Sequence, residues 1–345
     1  MSKQECVLKK TSIGGQALIE GVMMRGPERT AMAVRHTSGE IRMESWDNPK
    51  QKLPGFAKWP LVRGIFNFIF SMTYGYKCLM RSAELSGMEE ELKEAMAEEK
   101  AAKAAAAGDT PDTAEAPAEA AVEEKPNTEQ AKKKAGILMN VVMVIGAVLG
   151  VGLSLILFMW LPIQLFRWLS GAFPVLDNPY IRGVFEGVMR ILIFLAYMLA
   201  VSRMKDIRRT FQYHGAEHKS IFCYEKGLPL TVENVRPQSR FHPRCGTSFM
   251  VLMLIVGIVI SILIPIDNPV LRTAVKLLLL PLTMGIGYEL IKLAGRYDNR
   301  LTRIISAPGQ WMQRITTIEP DDGMIECAIR ALEEVIPDNP EADQW

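Results

Sequence analysis

The chain has 345 residues and a formal net charge of +2. A charge so close to zero provides no electrostatic footprint for nucleic acid, so we expect no nucleic-acid partner. Hydrophobic residues make up an ordinary 49% of the chain, but they are concentrated in a few long runs. The five cysteines are scattered without a C-x-x-C pair, which indicates reduced thiols and not a disulfide framework.

The N-terminal region, residues 1–58, is predicted to contain β structure. Residues 31–35 and 41–44 alternate apolar and polar side chains on either side of Thr37-Ser38-Gly39, which is typical of a hairpin. Gly14-Gly15-Gln16 predicts a turn that leads into another strand. The first twenty residues lack the apolar core of a signal peptide, so we expect none.

The next two segments differ sharply in character. Residues 59–82 are apolar and aromatic but short, which favours an interfacial or re-entrant helix over a full membrane crossing. Residues 83–135 are rich in Ala, Glu and Lys, and then in Pro, Thr and Glu. This composition predicts a solvated, disordered tether without chemistry of its own.

Four apolar runs then follow, at residues 137–162, 183–201, 249–266 and 270–293. A transmembrane helix needs about 20 predominantly apolar residues, so each run is long enough or nearly long enough to cross a bilayer. We therefore predict a mainly α, polytopic membrane protein with about four transmembrane helices, at 136–293. A small β-containing cytoplasmic region precedes these helices, and a cytoplasmic tail, 294–345, follows them.

The distribution of basic residues predicts the orientation. The segment between the first two runs carries only Arg167 and Arg182, and the turn between the last two carries no basic residue. Basic residues are abundant elsewhere, at Lys132, Lys133, Lys134, Arg203, Lys205, Arg208, Arg209, Lys219, Lys226, Arg236, Arg240, Arg244, Arg296, Arg300, Arg303 and Arg314. By the positive-inside rule, both termini and the loop at 202–248 are expected in the cytoplasm.

That loop holds all but one of the four histidines. His214 and His218 are i,i+4 neighbours on one face if the segment is helical, with Glu217 beside them. The pattern H-x-x-E-H is the inverse of the zincin motif and predicts a metal site. Gly215 within the motif weakens the expectation of a helix, because glycine is a poor helix former.

The predicted topology brings further ligand types to the same side of the membrane. His242 and Cys245 lie just before the third run, and Glu289 lies near the end of the fourth. Zinc accepts imidazole nitrogen, thiolate sulfur and carboxylate oxygen, and a catalytic site keeps one position for water. We therefore predict a Zn²⁺ site in which His214 and His218 bind the ion and His242 or Glu289 completes it, with Cys245 as a further candidate metal residue. Glu217 is then the base that activates water.

Two other interpretations of the loop remain open. Its arginines and lysines, with the histidines, are also suited to anionic lipid headgroups or a cytoplasmic partner, as in a non-enzymatic scaffold. The polar residues also suit structural packing, with Cys245 at a helix entry and Thr247 or Ser248 capping the third span. Within the spans, Glu186, Arg190 and Lys276 indicate an inter-helix ion pair or, in a transporter, an ion path.

Four long motifs resemble a known family. They are residues 14–27, the segment Tyr213-His214-Gly215-Ala216-Glu217-His218-Lys219, residues 230–236, and residues 242–249 beginning His242-Pro243-Arg244-Cys245. Together they resemble the YqhQ-like bacterial membrane proteins, domain of unknown function 1385, which carry the label of predicted metal-dependent enzyme. The resemblance implies a bacterial inner-membrane protein whose metal residues are His214, His218, His242 and Cys245. Glu217 and Glu289 are added from spacing alone, and the expected activity is hydrolysis at the membrane surface.

Overall fold

The computed structural model of the protein describes residues 10–49, 54–88, 145–176, 178–264, 266, 268–297, 299–339 and 342–343. The chain divides into two compact units, Leu92–Asp177 and the remainder, Met1–Glu91 with Asn178–Trp345. The predicted tether from residue 89 onward and the first residues of the predicted first span lie outside the described residues. The described chain is mainly helical with one small antiparallel sheet.

The elements are named in chain order. The strands are β1 (Gly14–Leu18), β2 (Gly21–Arg25), β3 (Arg29–Arg35) and β4 (Ile41–Asp47). The first helices are α1 (Val62–Leu85), α2 (Ile145–Ala172), α3 (Pro179–Val201), α4 (Lys205–Glu225) and the short α5 (Val232–Val235). The remaining helices are α6 (Gly246–Leu263), α7 (Pro269–Leu278), α8 (Leu280–Arg296), α9 (Arg300–Thr316) and α10 (Asp322–Glu333).

The four strands form an antiparallel meander in the order β1-β2-β3-β4. The predicted hairpin is confirmed: β3 pairs with β4 from Arg29 opposite Asp47 to Arg35 opposite Ile41, and Gly39 takes a positive φ in the turn. The hairpin of β1 and β2 was not predicted. At its turn Glu20 also has a positive φ, and both of its carboxylate oxygens accept hydrogen bonds from Arg209 of α4 at 2.5 Å. This contact fixes the sheet on α4.

The sheet is buried on both faces, since helices cover each of them. Val22 and Met24 of β2 face a core built with α4 and α10. Met23, between them, faces the other side and packs with Met32 of β3 and Cys78 of α1. The alternation follows the two-residue period of a strand. Residues from the N-terminal region, the histidine segment and the C-terminal region therefore share one α/β core, where the sequence suggested separate cytoplasmic pieces.

Within the described residues, three helices are long and apolar enough to cross a membrane: α2, α3 and α6. A fourth span results if α7 and α8, which meet at a bend of 45°, count together. Helix α2 belongs to the other unit. It contains a π-helical stretch at Ile156–Trp160, just before Pro162, and then continues to Ala172. Proline has no N–H to donate to the preceding turn, which explains the locally widened helix.

Helix α1 is a continuous 24-residue helix that starts at Val62 and ends within the predicted tether. Its first half packs on α8, where Gly64 lies against Tyr288, and its second half packs on the sheet. It is not among the helices apolar enough to cross a membrane. Its interfacial or re-entrant position stays a prediction.

Gly215 explains how α4 fits into the core. A Cβ at this position would overlap the carbonyl oxygen of Ile318, in the segment between α9 and α10. Glycine in a helix costs about 1 kcal/mol relative to alanine, whereas forcing extra volume into a packed core costs roughly 1–3 kcal/mol. The free energy that glycine saves by allowing this close approach therefore outweighs the free energy that it costs in helix propensity.

We predict that Gly215→Ala lowers the melting temperature of the detergent-solubilised protein, because α4 must move away from Ile318. Gly171→Ala in α2 is the matched control, since a Cβ there would meet nothing within 4 Å. The control should be neutral or slightly stabilising. Equal melting temperatures for wild type and Gly215→Ala would show that the contact is not tight in solution.

Candidate metal centre

Helix α4 carries the histidine motif, so the uncertainty raised by Gly215 is resolved in favour of a helix. His214, Glu217 and His218 occupy one face of α4, as their i, i+3, i+4 spacing requires. Glu217 and His218 are buried, and the rings of His214 and His218 lie 4.4 Å apart. Helix α6 begins beside them, with Cys245 as its N-terminal cap.

Three side chains form a group with metal-binding spacing. One ligand atom each from His214, His218 and Cys245 lies within 4.8 Å of the other two. The closest pair is His214 Nε2 and Cys245 Sγ, at 3.1 Å. His218 Nε2 is buried and has no hydrogen-bond partner among the described residues. Two imidazoles and a thiolate are a donor set that suits Zn²⁺.

The other nitrogen of each imidazole is held by the backbone. His214 Nδ1 lies 2.9 Å from the Thr316 carbonyl oxygen, and His218 Nδ1 lies 2.6 Å from the Arg240 carbonyl oxygen. A carbonyl oxygen only accepts, so each Nδ1 carries the proton and donates. In the neutral ring, this leaves the Nε2 lone pair for a metal. Such outer contacts orient histidine ligands in metal sites.

The sulfur and the imidazole shift each other's protonation. Burial would lower the pKa of His214, but the negative sulfur of Cys245 raises this pKa to about 9. Burial would likewise raise the pKa of the Cys245 thiol, yet His214 and His218 hold it well below its usual value. The backbone N–H of Thr247 also points at the sulfur, at 3.4 Å. These contacts favour the thiolate of Cys245, the form that binds metals.

Glu217 lies beside the group without belonging to it. Its Oε2 is buried and has no hydrogen-bond partner among the described residues, while the nearby Gly15 backbone lowers the pKa of the carboxyl group. Burial raises the pKa of Glu217, against the lowering effect of the two histidines. A Cβ at Gly15 would lie 2.9 Å from Glu217 Cγ, so strand β1 approaches this closely only with glycine there.

His242 is adjacent to the group but turned away from it. Its ring is 5.6 Å from that of His218, and its Nε2 lies 3.6 Å from Oε2 of the buried Glu225. Arg244 forms an ion pair with the same carboxylate. Burial lowers the pKa of His242. Burial would raise the pKa of Glu225, but His242 and Arg244 lower it by more, so this pKa lies below its usual value. Glu225 is thus a charged support for the segment that leads to Cys245.

Gln313 of α9 holds that segment from the other side. This fully buried amide accepts a hydrogen bond from the His242 N–H and donates one to the His242 carbonyl, both at 2.7 Å. The same Nε2 lies 3.3 Å from Ser248 Oγ in α6. One side chain therefore satisfies both backbone groups of His242 and fixes the turn before Cys245 on α9.

The structure does not bring Glu289 into the group. Both of its carboxylate oxygens face Arg63 of α1, and the Leu61 N–H donates to it at 3.4 Å. Glu289 is on the expected helix, but a guanidinium from α1 engages it in a bidentate pair. The predicted topology brings the loop and the last span together but gives no position for α1 relative to α8.

The basic residues of the predicted loop mostly have partners within the protein. Lys219 and Arg240 pair with Glu319, Arg236 pairs with Asp322, and Arg244 pairs with Glu225. Arg209 pairs with Glu20. Guanidiniums already paired with carboxylates are less suited to lipid phosphates, so these contacts weaken the headgroup interpretation of the loop.

The charges within the spans form one cluster around Glu186, which is 1% exposed. Arg190 lies 3.0 Å away and Lys276 lies 3.3 Å away, which confirms the predicted contact between α3 and the last span. Arg272, which the sequence argument overlooked, lies 3.1 Å from the other carboxylate oxygen. An ion cluster that joins two helices is the simpler role for these residues.

Some residues of the site left a signal in the sequence and others did not. Glu225 follows His218 by seven residues, which places it on the same helix face, so helical periodicity could have identified it. Gly15 was noted only as part of a turn. Gln313 and the carbonyls of Thr316 and Arg240 have no local pattern, because their role depends on which backbone α4 meets.

Comparisons with known proteins point to one group of relatives. The profile of a family described as "Protein of unknown function (DUF1385)" matches residues 59–338. The chain is 32% identical over 327 residues to "Uncharacterized protein YqhQ" of Bacillus subtilis (strain 168), a match that covers 94% of the chain and 92% of that protein. No solved structure matches significantly.

Gln313→Met should destabilise the fold and loosen the turn at His242. The substitution preserves length but leaves the buried N–H and C=O of His242 without partners, at roughly 1–3 kcal/mol for each unsatisfied group. Thermal unfolding of the purified protein would show a lowered melting temperature. Gln310→Met, one turn away and only half-buried, is the control that should change little.

The Glu225 cluster predicts a pH-dependent difference in stability. Because the fold lowers the pKa of Glu225, its charge stabilises the protein above the unfolded value of about 4.3. This contribution is lost as the pH falls through the folded value. Glu225→Gln should therefore be less stable than wild type at pH 7, and the gap should narrow as the pH falls below about 4.

Glu233→Gln, on the exposed side of α5, is the control for the same charge change. Melting temperatures measured across this pH range would compare the three proteins. A gap between wild type and Glu225→Gln that is constant with pH would mean that the carboxylate charge is not what stabilises the segment.

Proposed function

Since the chain belongs to the DUF1385 family of proteins of unknown function, we propose its function from the geometry of its own site. The protein is a bacterial inner-membrane protein that binds Zn²⁺ through His214, His218 and Cys245. It acts as a metal-dependent hydrolase at the cytoplasmic surface of the membrane. The observation that carries this proposal is the convergence of two imidazole nitrogens and a thiolate, with an unpartnered carboxylate oxygen beside them.

Helix composition and charge distribution support the membrane placement. Apolar side chains such as Val184, Val188 and Val259 are exposed along α3 and α6, and exposed apolar surface on long helices suits lipid. The segment Arg203–Arg209, at the end of α3, is rich in basic residues, as expected for a cytoplasmic end. Both termini and the α/β core are assigned to the cytoplasm on this ground.

The arrangement of the ligands supports metal binding over polar packing. A buried imidazole nitrogen without a hydrogen bond, at His218 Nε2, costs stability unless something occupies it. The carbonyls that bind each Nδ1 hold both rings with Nε2 towards Cys245. His242 and Glu289 are engaged with Glu225 and Arg63. The proposed ligand set is therefore the three residues of the group, which leaves a tetrahedral ion one open position.

The roles of the residues follow from this set. A bound Zn²⁺ would supply Lewis acidity and lower the pKa of a coordinated water. Glu217 would act as the base, with Oε2 as the atom that holds the proton, and the Gly15 backbone lies close to its carboxylate. His214 and His218 would each keep the proton on Nδ1, because this N–H donates a hydrogen bond to the carbonyl oxygen of Thr316 in the first case and of Arg240 in the second.

Metal analysis of the purified full-length protein tests the site. Wild type incubated with Zn²⁺ and then desalted should retain about one zinc per chain, as a three-residue protein site does. His214→Ala/His218→Ala should retain none. His36→Ala removes the histidine that lies outside the site, whose ring bonds to Ser38, and should retain zinc as wild type does. Metal-free wild type with an intact fold would contradict the proposal.

Glu217→Gln separates a base from a ligand in the same assay. It should retain zinc yet lose hydrolysis of a generic ester or phosphodiester probe by about 10² or more, the usual contribution of a general base. Loss of zinc together with activity would make Glu217 a fourth ligand and would contradict its role as base.

A further inference from the structure

Helix α9 has an inverted distribution of polarity. Apart from Met312, the residues that it buries against its neighbours are small or polar: Thr302, Ser306, Gly309, Gln313 and Thr316. Three of its large apolar side chains are exposed, with Leu301 at 60%, Ile304 at 69% and Trp311 at 70% exposed. A helix on the surface of a soluble protein shows the opposite pattern.

A helical projection resolves α9 into three stripes. At 100° per residue, Leu301, Ile304 and Trp311 fall within one sector of about 80°, and the buried small residues face away from it. Arg300, Arg303 and Arg314 fall together on a third side, next to the apolar stripe. An apolar stripe bordered by arginines is the pattern of a helix that lies in a membrane interface.

The neighbours of α9 also indicate that lipid covers its apolar stripe. It packs on α6, α8 and α3, which are the apolar helices assigned above to the membrane. Gly309 allows contact with Ser248, in the first turn of α6. The apolar stripe therefore adjoins the lipid-facing surface of the spans at the end where α6 begins. Tryptophan and arginine are the side chains favoured at the boundary between hydrocarbon and headgroups.

We propose that α9 is an interfacial helix that binds the anionic surface of the bilayer through Leu301, Ile304 and Trp311. Its arginines lie at the level of the lipid phosphates. This assignment rests on the membrane placement proposed above, and it revises the expectation that residues 294–345 form a simple cytoplasmic tail. It is independent of metal binding.

The position of α9 also bears on the metal centre. The carbonyl of Thr316, its last residue, holds His214, and Gln313 holds the turn before Cys245. A helix with its side chains is about 10–12 Å across. The proposed lipid contact therefore brings the three ligands to within about one helix diameter of the bilayer, so a substrate embedded in or attached to the membrane can approach from the side of α9.

Collision accessibility of spin labels tests the proposal on the full-length protein. Ile304→Cys is labelled in nanodiscs containing phosphatidylglycerol and phosphatidylcholine, and its relaxation by oxygen is compared with that by a water-soluble nickel chelate. The label should be more accessible to oxygen and less accessible to the chelate than labels at Gln310→Cys, on the arginine side of α9, and Glu333→Cys, on α10. The cysteines of the described residues are buried, and wild type gives the labelling background.

Each alternative has its own signature. Chelate accessibility at Ile304→Cys equal to that at Gln310→Cys would place α9 in water and overturn the proposal. Exclusion of both oxygen and chelate would mean that protein, from this chain or a second copy, covers the stripe, and would also overturn it. Val259→Cys on α6 reports the spans separately: if the chelate reaches this label, the membrane placement itself fails.

Discussion

The burial of α4 is the constraint on which the rest of the structure depends. From Tyr213 to Glu225 this helix is almost wholly enclosed, although it carries Glu217, His218, Lys219 and Glu225 in its sequence. A buried charge or imidazole needs a partner, because leaving it unpaired costs several kcal/mol. The surrounding parts of the α/β core provide these partners. The contacts with the partners explain why distant segments of the chain meet at this helix.

The partners come from three separate regions. Strand β1 provides the Gly15 N–H for Glu217, and the segment after α5 provides the Arg240 carbonyl for His218. Glu319, between α9 and α10, pairs with Lys219, and Arg244 pairs with Glu225. Among the described residues, three buried atoms of α4 then remain without hydrogen-bond partners: Ser220 Oγ and, at one place, His218 Nε2 and Glu217 Oε2. That remainder, beside Cys245, makes the site a candidate for a bound ion.

The metal centre lies where the α/β core meets the apolar helices. Cys245 is both a candidate ligand and the N-terminal cap of α6, so the start of a proposed span and the site share one residue. Helix α9 connects the same two parts, since its buried polar face holds Gln313 against His242 and its other face is apolar and exposed. A reaction at this position would act on molecules at the membrane surface.

The sequence alone was sufficient for features that depend on local spacing. The hairpin of β3 and β4, the apolar helices and the shared face of His214, Glu217 and His218 all follow from the periods of strands and helices. The tertiary structure decided which distant groups join that face. Cys245 joins because α6 begins beside α4, and Glu289 does not, because Arg63 of α1 engages it. The contacts of Gly15, Thr316 and Arg240 with the site are equally non-local. They depend on which backbone groups the packing brings close to α4, and no local pattern of side chains predicts that.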